Sequence, residues 1–178
     1  MQKTILIISL IIVLTYTATT YSDQDLMILM EKAQIRGDYQ DIVNERSGAL
    51  ISNARELTFY GDQFNNSPLR DAVYDIALNS KGYVKTPVSG KIQLDLLQEY
   101  ELNTVVIWFY DLQVITYKFK VTLIYPDDST QDVYSNNAAV GGIYRITFDD
   151  SLVKSILIVD ISGTQPLQII KIQAFYAF

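Results

Sequence analysis

The chain of 178 residues contains no cysteine and no histidine. The first absence excludes disulfides, thiolate metal sites and cysteine nucleophiles. The second removes the commonest general base and the commonest zinc ligand, and with them any Ser-His-Asp triad. Positive charge is also short: 14 Lys plus Arg stand against 20 Asp plus Glu, for a formal charge of -6 and a pI near 4.5. Such a surface opposes the phosphate backbone, so nucleic acid is not an expected partner. No Gly-x-Ser-x-Gly elbow and no glycine-rich phosphate loop occurs, and Gly141-Gly142 reads as a turn before it reads as an anion nest. The paired acids Asp127-Asp128 and Asp149-Asp150 are sequence neighbours in turn-like segments. A glycosidase pair must instead converge across a cleft, so no enzyme is expected.

Long apolar runs are few, and the clearest opens the chain. Ile5 to Leu14 is interrupted only by Ser9, follows the basic start Met1-Gln-Lys3, and leads into the polar, small-residue stretch Thr15 to Ser22. That is the layout of a secretory signal peptide cleaved after Thr19 or Ser22. The run is shorter than the ~20 residues that span a bilayer comfortably. Residues 1–22 are therefore expected to be a signal peptide, with a retained membrane anchor as the alternative. The first reading gives a secreted or extracellular-surface protein, and the second brings the chain to a membrane. Asn65-Asn66-Ser67 is a glycosylation sequon, weakened as an acceptor by Pro68.

What is present is core material. Hydrophobic residues make up 49% and charged residues 19%, enough for one well-filled domain. Residues 23–53 read as a helical lead-in: Leu26, Leu29, Met30 and Ala33 recur at helical spacing behind Asp23 as N-cap, and Tyr39, Ile42 and Val43 suggest a second short helix after Gly37. Residues 54–178 read almost wholly as strand, over 57–60, 91–96, 104–110, 115–125, 132–134, 143–148, 155–161 and 167–175, with turn chemistry between. Strands at this spacing without intervening helices predict a mainly β, antiparallel sandwich preceded by a short helical segment. Tyr117, Phe119, Val121, Leu123 and Tyr125 share one face of a strand while Lys118, Lys120 and Thr122 share the other. Trp108, the single tryptophan, is expected in the core with Val106.

The strand wording resembles a known family. Gly90-Lys-Ile-Gln-Leu-Asp-Leu96, Leu102-Asn-Thr-Val-Val-Ile-Trp108, Tyr117-Lys-Phe-Lys-Val121, Val153-Lys-Ser-Ile-Leu-Ile-Val159 and Ile170-Lys-Ile-Gln-Ala-Phe-Tyr176, in that order, resemble the discoidin (coagulation factor 5/8 type C) domain. The resemblance implies a galactose-binding-like jelly-roll sandwich that recognises glycans, lipids or proteins through loops at one end. It also implies, in many relatives, a structural calcium held by a loop before the Leu-Asp-Leu strand and by an acid in the final strand. Asp71 and Asp75 match the loop by region, but the final strand reads Ile170-Lys171-Ile172-Gln173. A lysine ammonium cannot ligate Ca2+. No cofactor is expected, with calcium left open.

Thirteen tyrosines are the other conspicuous feature, because aromatic rings stack on the apolar face of a sugar and make good protein contacts. Most of the 13 should fill or cover the sandwich, since tyrosine favours strands. Tyr60, Phe64 and Tyr83 fall in or beside the segment where the resembling family keeps its recognition loops, and Arg70 and Asn79 would add polar contacts there. Tyr110, Asp111 and Gln113 mark a bend that faces a partner. The expected function is a non-catalytic recognition module for a glycan or protein ligand. The alternative is a structural or accessory subunit docked through its N-terminal helical arm.

Overall fold

The structure, a computed structural model, describes residues 22–60, 67–69, 82–110, 115–136 and 142–178. Helix α1, Asp23–Ile35, opens them. Its cap is Ser22 rather than the expected Asp23. The Asp25 N–H donates to the Ser22 hydroxyl at 3.1 Å, and the Asp25 carboxylate accepts from the Ser22 N–H at 3.1 Å, a reciprocal capping box that satisfies two free donors. None of the helix residues is buried. No helix among the described residues is long and apolar enough to cross a membrane. Gln34–Phe178 forms one compact unit and the residues before it another.

The expected second helix is a 3-10 turn over Gly37–Tyr39. Gly37 has φ +59°, and a Cβ there would lie 2.1 Å from the Ile42 side chain, so a larger residue fits neither the backbone nor the space. The turn delivers Ile42 and Val43 into the core, 2% and 0% exposed.

Eight strands follow among the described residues: β1 Leu50–Ile51, β2 Thr58–Tyr60, β3 Tyr83–Lys85, β4 Lys91–Phe109, β5 Phe119–Ile124, β6 Thr130–Ser135, β7 Ile143–Asp160 and β8 Gln168–Phe175. All pairings are antiparallel, in the path β2-β3-β8-β4-β7-β5-β6 with β1 on β4. The fold is thus mainly β, as the strand spacing predicts. The chain differs from expectation in its two longest strands. Segments 91–96 and 104–110 are one strand, as are 143–148 and 155–161, and Asp149-Asp150-Ser151 lies within β7 rather than in a turn. Register shifts after Asp95 and after Leu102 bend the β4–β7 ribbon without ending it.

The bend separates two layers. The first half of β4 and the second half of β7 pair with β1 and β5, and β5 pairs with β6. The second half of β4 pairs with the first half of β7 and with β8, which continues through β3 to β2. Phe109 and Tyr144 come from the second layer, Phe119 and Tyr134 from the first. Phe109 and Phe119 meet between the layers at 4.8 Å, and Tyr144 lies edge-on to both. Burying each such ring contributes about 1.5–3 kcal/mol. The predicted inward face of β5 and the residues before it holds, with Tyr117, Phe119, Val121 and Leu123 all at or below 1% exposure, whereas Thr122, expected on the wet face, is buried at 6% exposure and bonds Asp132.

One expectation for side-chain direction fails, for an identifiable reason. Val105, Ile107 and Phe109 are the β4 residues in the core, so Trp108 faces outward, half-buried, with its indole N–H donating to Gln173 at 3.2 Å. Val106 is also buried on that outer side, which makes both faces of the segment read as apolar. In β8 the register jumps from Lys171 opposite Trp108 to Ile169 opposite Phe109, so Ile170 is an extra residue and the alternation changes phase across it.

Candidate functional site

The outer face of the second layer has two aromatic ends. At the first, Tyr60 closes β2 and Tyr83 opens β3, and the two are direct cross-strand partners. Their neighbours Phe59 and Val84 turn toward the core, so both tyrosines point outward. The rings stack with centroids 5.1 Å apart and planes 15° apart. Tyr110, just beyond β4, extends the row: its ring stacks on Tyr83 at 4.1 Å and 23°. The backbone of Tyr110 is fixed on both sides, its N–H donating to the Gln168 carbonyl at 2.9 Å and its carbonyl accepting from the Tyr117 hydroxyl at 2.6 Å. The Lys85 ammonium lies 5.9 Å from the Tyr60 ring centre, within cation–π range.

This row is poised for contact. Tyr60 is 41% exposed, and Tyr83 and Tyr110 are half-buried. No described residue hydrogen-bonds the three phenol hydroxyls. Burial first, then the neighbouring Tyr110 and Tyr60, push the Tyr83 phenol above its ordinary value of 10.0, which keeps the site uncharged on the tyrosine side. The arrangement offers aromatic edges, one terminal ring face, a row of hydroxyls without partners among the described residues, and the Lys85 cation. Of the residues expected here, the structure brings together Tyr60, Tyr83 and Tyr110. Phe64, Arg70, Asn79, Asp111, Gln113, the sequon residue Asn65 and the calcium candidates Asp71 and Asp75 lie outside the described residues. Lys85 was not singled out in the sequence, although its place two residues after Tyr83 on the same strand face was a usable signal.

The opposite end is built differently. The Arg36 guanidinium sits 3.7 Å over the Tyr176 ring while its Nε bonds Glu101 at 2.6 Å. The Tyr176 hydroxyl donates to Asp150 at 2.8 Å, and the Asn103 amide donates to the same carboxylate at 3.1 Å. Those two bonds hold the Asp150 carboxyl below the usual aspartate value. Tyr39 stacks on Phe178 at 4.6 Å. The other paired acids are likewise engaged locally, Asp127 by Ser129 and Asp128 by Lys154.

Between the ends, Lys171 is 2% exposed, with its ammonium 3.8 Å from Asp41. Asp41 also accepts the N–H groups of Val43 and Ala174 at 3.0 Å each, which ties the N-terminal segment to β8. Pro68 accepts the Ile172 N–H at 3.2 Å. The final-strand position that would have to supply an acid for calcium therefore holds a buried ammonium, and the described residues do not fit the ion. Among them, no group of three acids could hold a metal.

No family model matches the sequence, and no curated protein matches it. Solved structures do resemble the fold. A mutant lectin-binding domain of lectinolysin, solved with Lewis b, is 12% identical, with a TM-score of 0.56 over 78% of this chain and 97% of that one. The family 32 carbohydrate-binding module of Streptococcus pneumoniae EndoD is 13% identical, with a TM-score of 0.56 over 77% and 99%. Chitosan-binding module 1 of a Paenibacillus sp. IK-5 chitosanase/glucanase is 14% identical, with a TM-score of 0.53 over 76% and 98%. The fold is the galactose-binding-like jelly roll, which carbohydrate-binding modules and lectin domains share with discoidin domains.

Proposed function

We propose that the chain is a non-catalytic glycan-recognition module that binds through the tyrosine end of its second layer. The observation that carries this reading is the Tyr60–Tyr83–Tyr110 row with its unpartnered hydroxyls. A sugar presents an apolar C–H surface and a set of hydroxyls, and the row offers rings for the first and phenol oxygens for the second. The lectinolysin domain was solved with Lewis b, and other neighbours are named as carbohydrate-binding modules, which supports the same ligand class. Phe64, Arg70 and Asn79 are proposed further contacts. Secretion by the leader 1–22 fits an extracellular glycan ligand.

A glycan array probed with the chain from Ser22 onward tests this. Saturable binding is expected, and Tyr83→Ala should weaken it by about 30-fold, as for an aromatic hot spot. Absence of binding at high concentration, or an unchanged Tyr83→Ala, counts against the reading and leaves a protein ligand to be sought.

The accessory-subunit reading draws on one observation of its own: α1 exposes Leu26, Met27, Ile28, Leu29 and Met30 at 45–72%. N-terminal sequencing of the native protein separates the two. Retention of Met1 would remove the secreted reading.

A further inference from the structure

A second recess, about 400 Å³ in volume, opens on the outer face of the first layer. Gln93, Asp95 and Leu96 of β4, Ile124 of β5, Asp128 of the β5–β6 turn, and Lys154 and Ser155 of β7 line it. Their placement follows from the register. Asp95 and Ile124 are both partners of Ser155, while their neighbours Leu94, Leu123 and Ile156 are fully buried in the core, so Asp95, Ile124 and Ser155 turn outward together. Ser155 is only 4% exposed, yet no described residue hydrogen-bonds its hydroxyl. A buried hydroxyl without a partner is costly, and the group here sits on the floor of an open recess.

The charges around it are unequal. Lys154 and Asp128 are engaged with each other at 2.7 Å. Asp95 accepts from the Gln93 amide at 3.1 Å and forms no direct ion pair among the described residues; it also attracts Lys154 at longer range, so the lining sets two carboxylates against one ammonium beside the Ser155 hydroxyl. Leu96 and Ile124 supply apolar wall.

We propose that this recess binds an amino sugar, its ammonium against Asp95, an adjacent hydroxyl on Ser155, and its ring C–H groups against Leu96 and Ile124. The site lies on the other layer from the tyrosine row and does not depend on the reading of that row. A neutral sugar satisfies Ser155 but leaves the excess negative charge of the lining unmatched, and a simple amine does the reverse. The hydroxylated cation satisfies both.

Titration of the 15N-labelled chain with glucosamine, glucose and N-acetylglucosamine tests the proposal without relying on any variant. Glucosamine should shift the Asp95 and Ser155 amides saturably, and the two uncharged sugars should bind at least about ten-fold more weakly, as expected for loss of a hydrogen bond to a charged group. Asp95→Asn should weaken glucosamine by about ten-fold or more, and Ser155→Ala by about three-fold to ten-fold. The glucosamine-dependent shifts at Asp95 and Ser155 should be read at the recess itself, whatever the tyrosine row binds. Equal affinity for all three sugars, shifts confined to the tyrosine end, or full affinity in Asp95→Asn would overturn it. Glycan-array binding lost in Tyr83→Ala but kept in Asp95→Asn would support the tyrosine site alone, and the two proposals fail independently.

Discussion

The two ends of the second layer have similar aromatic content and opposite chemistry. At the Tyr176 end the central ring meets designated partners: Arg36 covers Tyr176, Glu101 holds Arg36, and Asp150 takes the Tyr176 hydroxyl. At the Tyr60 end the rings meet one another and their hydroxyls meet no described residue. Aromatic density alone therefore does not mark a site. Unfilled hydrogen-bonding capacity on an ordered aromatic surface is what distinguishes the Tyr60 end and supports the proposed contact there, because a group already satisfied inside the protein has little to offer a ligand.

The comparison gives a graded set of expectations. The largest effect should come from Asp41→Ala, which withdraws a carboxylate from the buried Lys171 ammonium and frees two backbone donors. Chemical denaturation should show a loss of about 3–5 kcal/mol, the usual cost of breaking a buried pair, with glycan affinity per folded molecule unchanged. A next step down, Trp108→Ala should cost about 2 kcal/mol rather than the 3–5 kcal/mol of a fully buried aromatic, since its ring is half-buried on the outer face. A loss at the upper end of that range would mean that the outer face contributes as much as the core. At the tyrosine end the effect should move from stability to binding: Tyr60→Ala, at an exposed position, should alter stability by only about 0.5 kcal/mol while weakening glycan binding. If it destabilised as strongly as Trp108→Ala with binding intact, the two ends would not differ in kind.

The smallest effect concerns pH. The hydrogen bond from Tyr176 and then that from Asn103 depress the Asp150 carboxyl below 3.8, so folding is favoured by the ionised form. That contribution is fully present above the unfolded value of 3.8 and disappears as pH falls through the lower folded value. Thermal melts on the acid side should therefore show a shallow decline that Asp150→Asn flattens. Glycan binding by folded protein should not follow this titration.

Much of this was legible in the chain. Alternation alone located the inward face of β5, and the family resemblance, which set Tyr60 and Tyr83 in or beside the recognition-loop segment, together with Tyr110 at the bend, pointed to residues that the fold brings into one row at the ends of strands. What escaped has physical causes. Apolar residues on both sides of Val105 to Phe109 gave Trp108 no orientation that spacing could read, because one side meets the core and the other is covered as well. The burial of Lys171 escapes any spacing pattern because an extra residue at Ile170 changes the alternation of β8. Asp149-Asp150-Ser151 has turn composition, yet the strand continues across it: the ladder to β4 skips from Ser151 to Thr147 and resumes in the same direction, since a bend between layers needs no reversal of the chain. The recess around Ser155 gathers side chains from three strands and a turn, which no local pattern records.

β4 and β7 each belong to both layers, and this has a kinetic meaning. Opening either layer by itself would require breaking a continuous strand's pairing at the bend while the remainder stayed docked, so neither sheet is an independent folding unit. Amide hydrogens of Ile92 and Ile107, near opposite ends of β4, should accordingly exchange through a shared global opening rather than through separate local events.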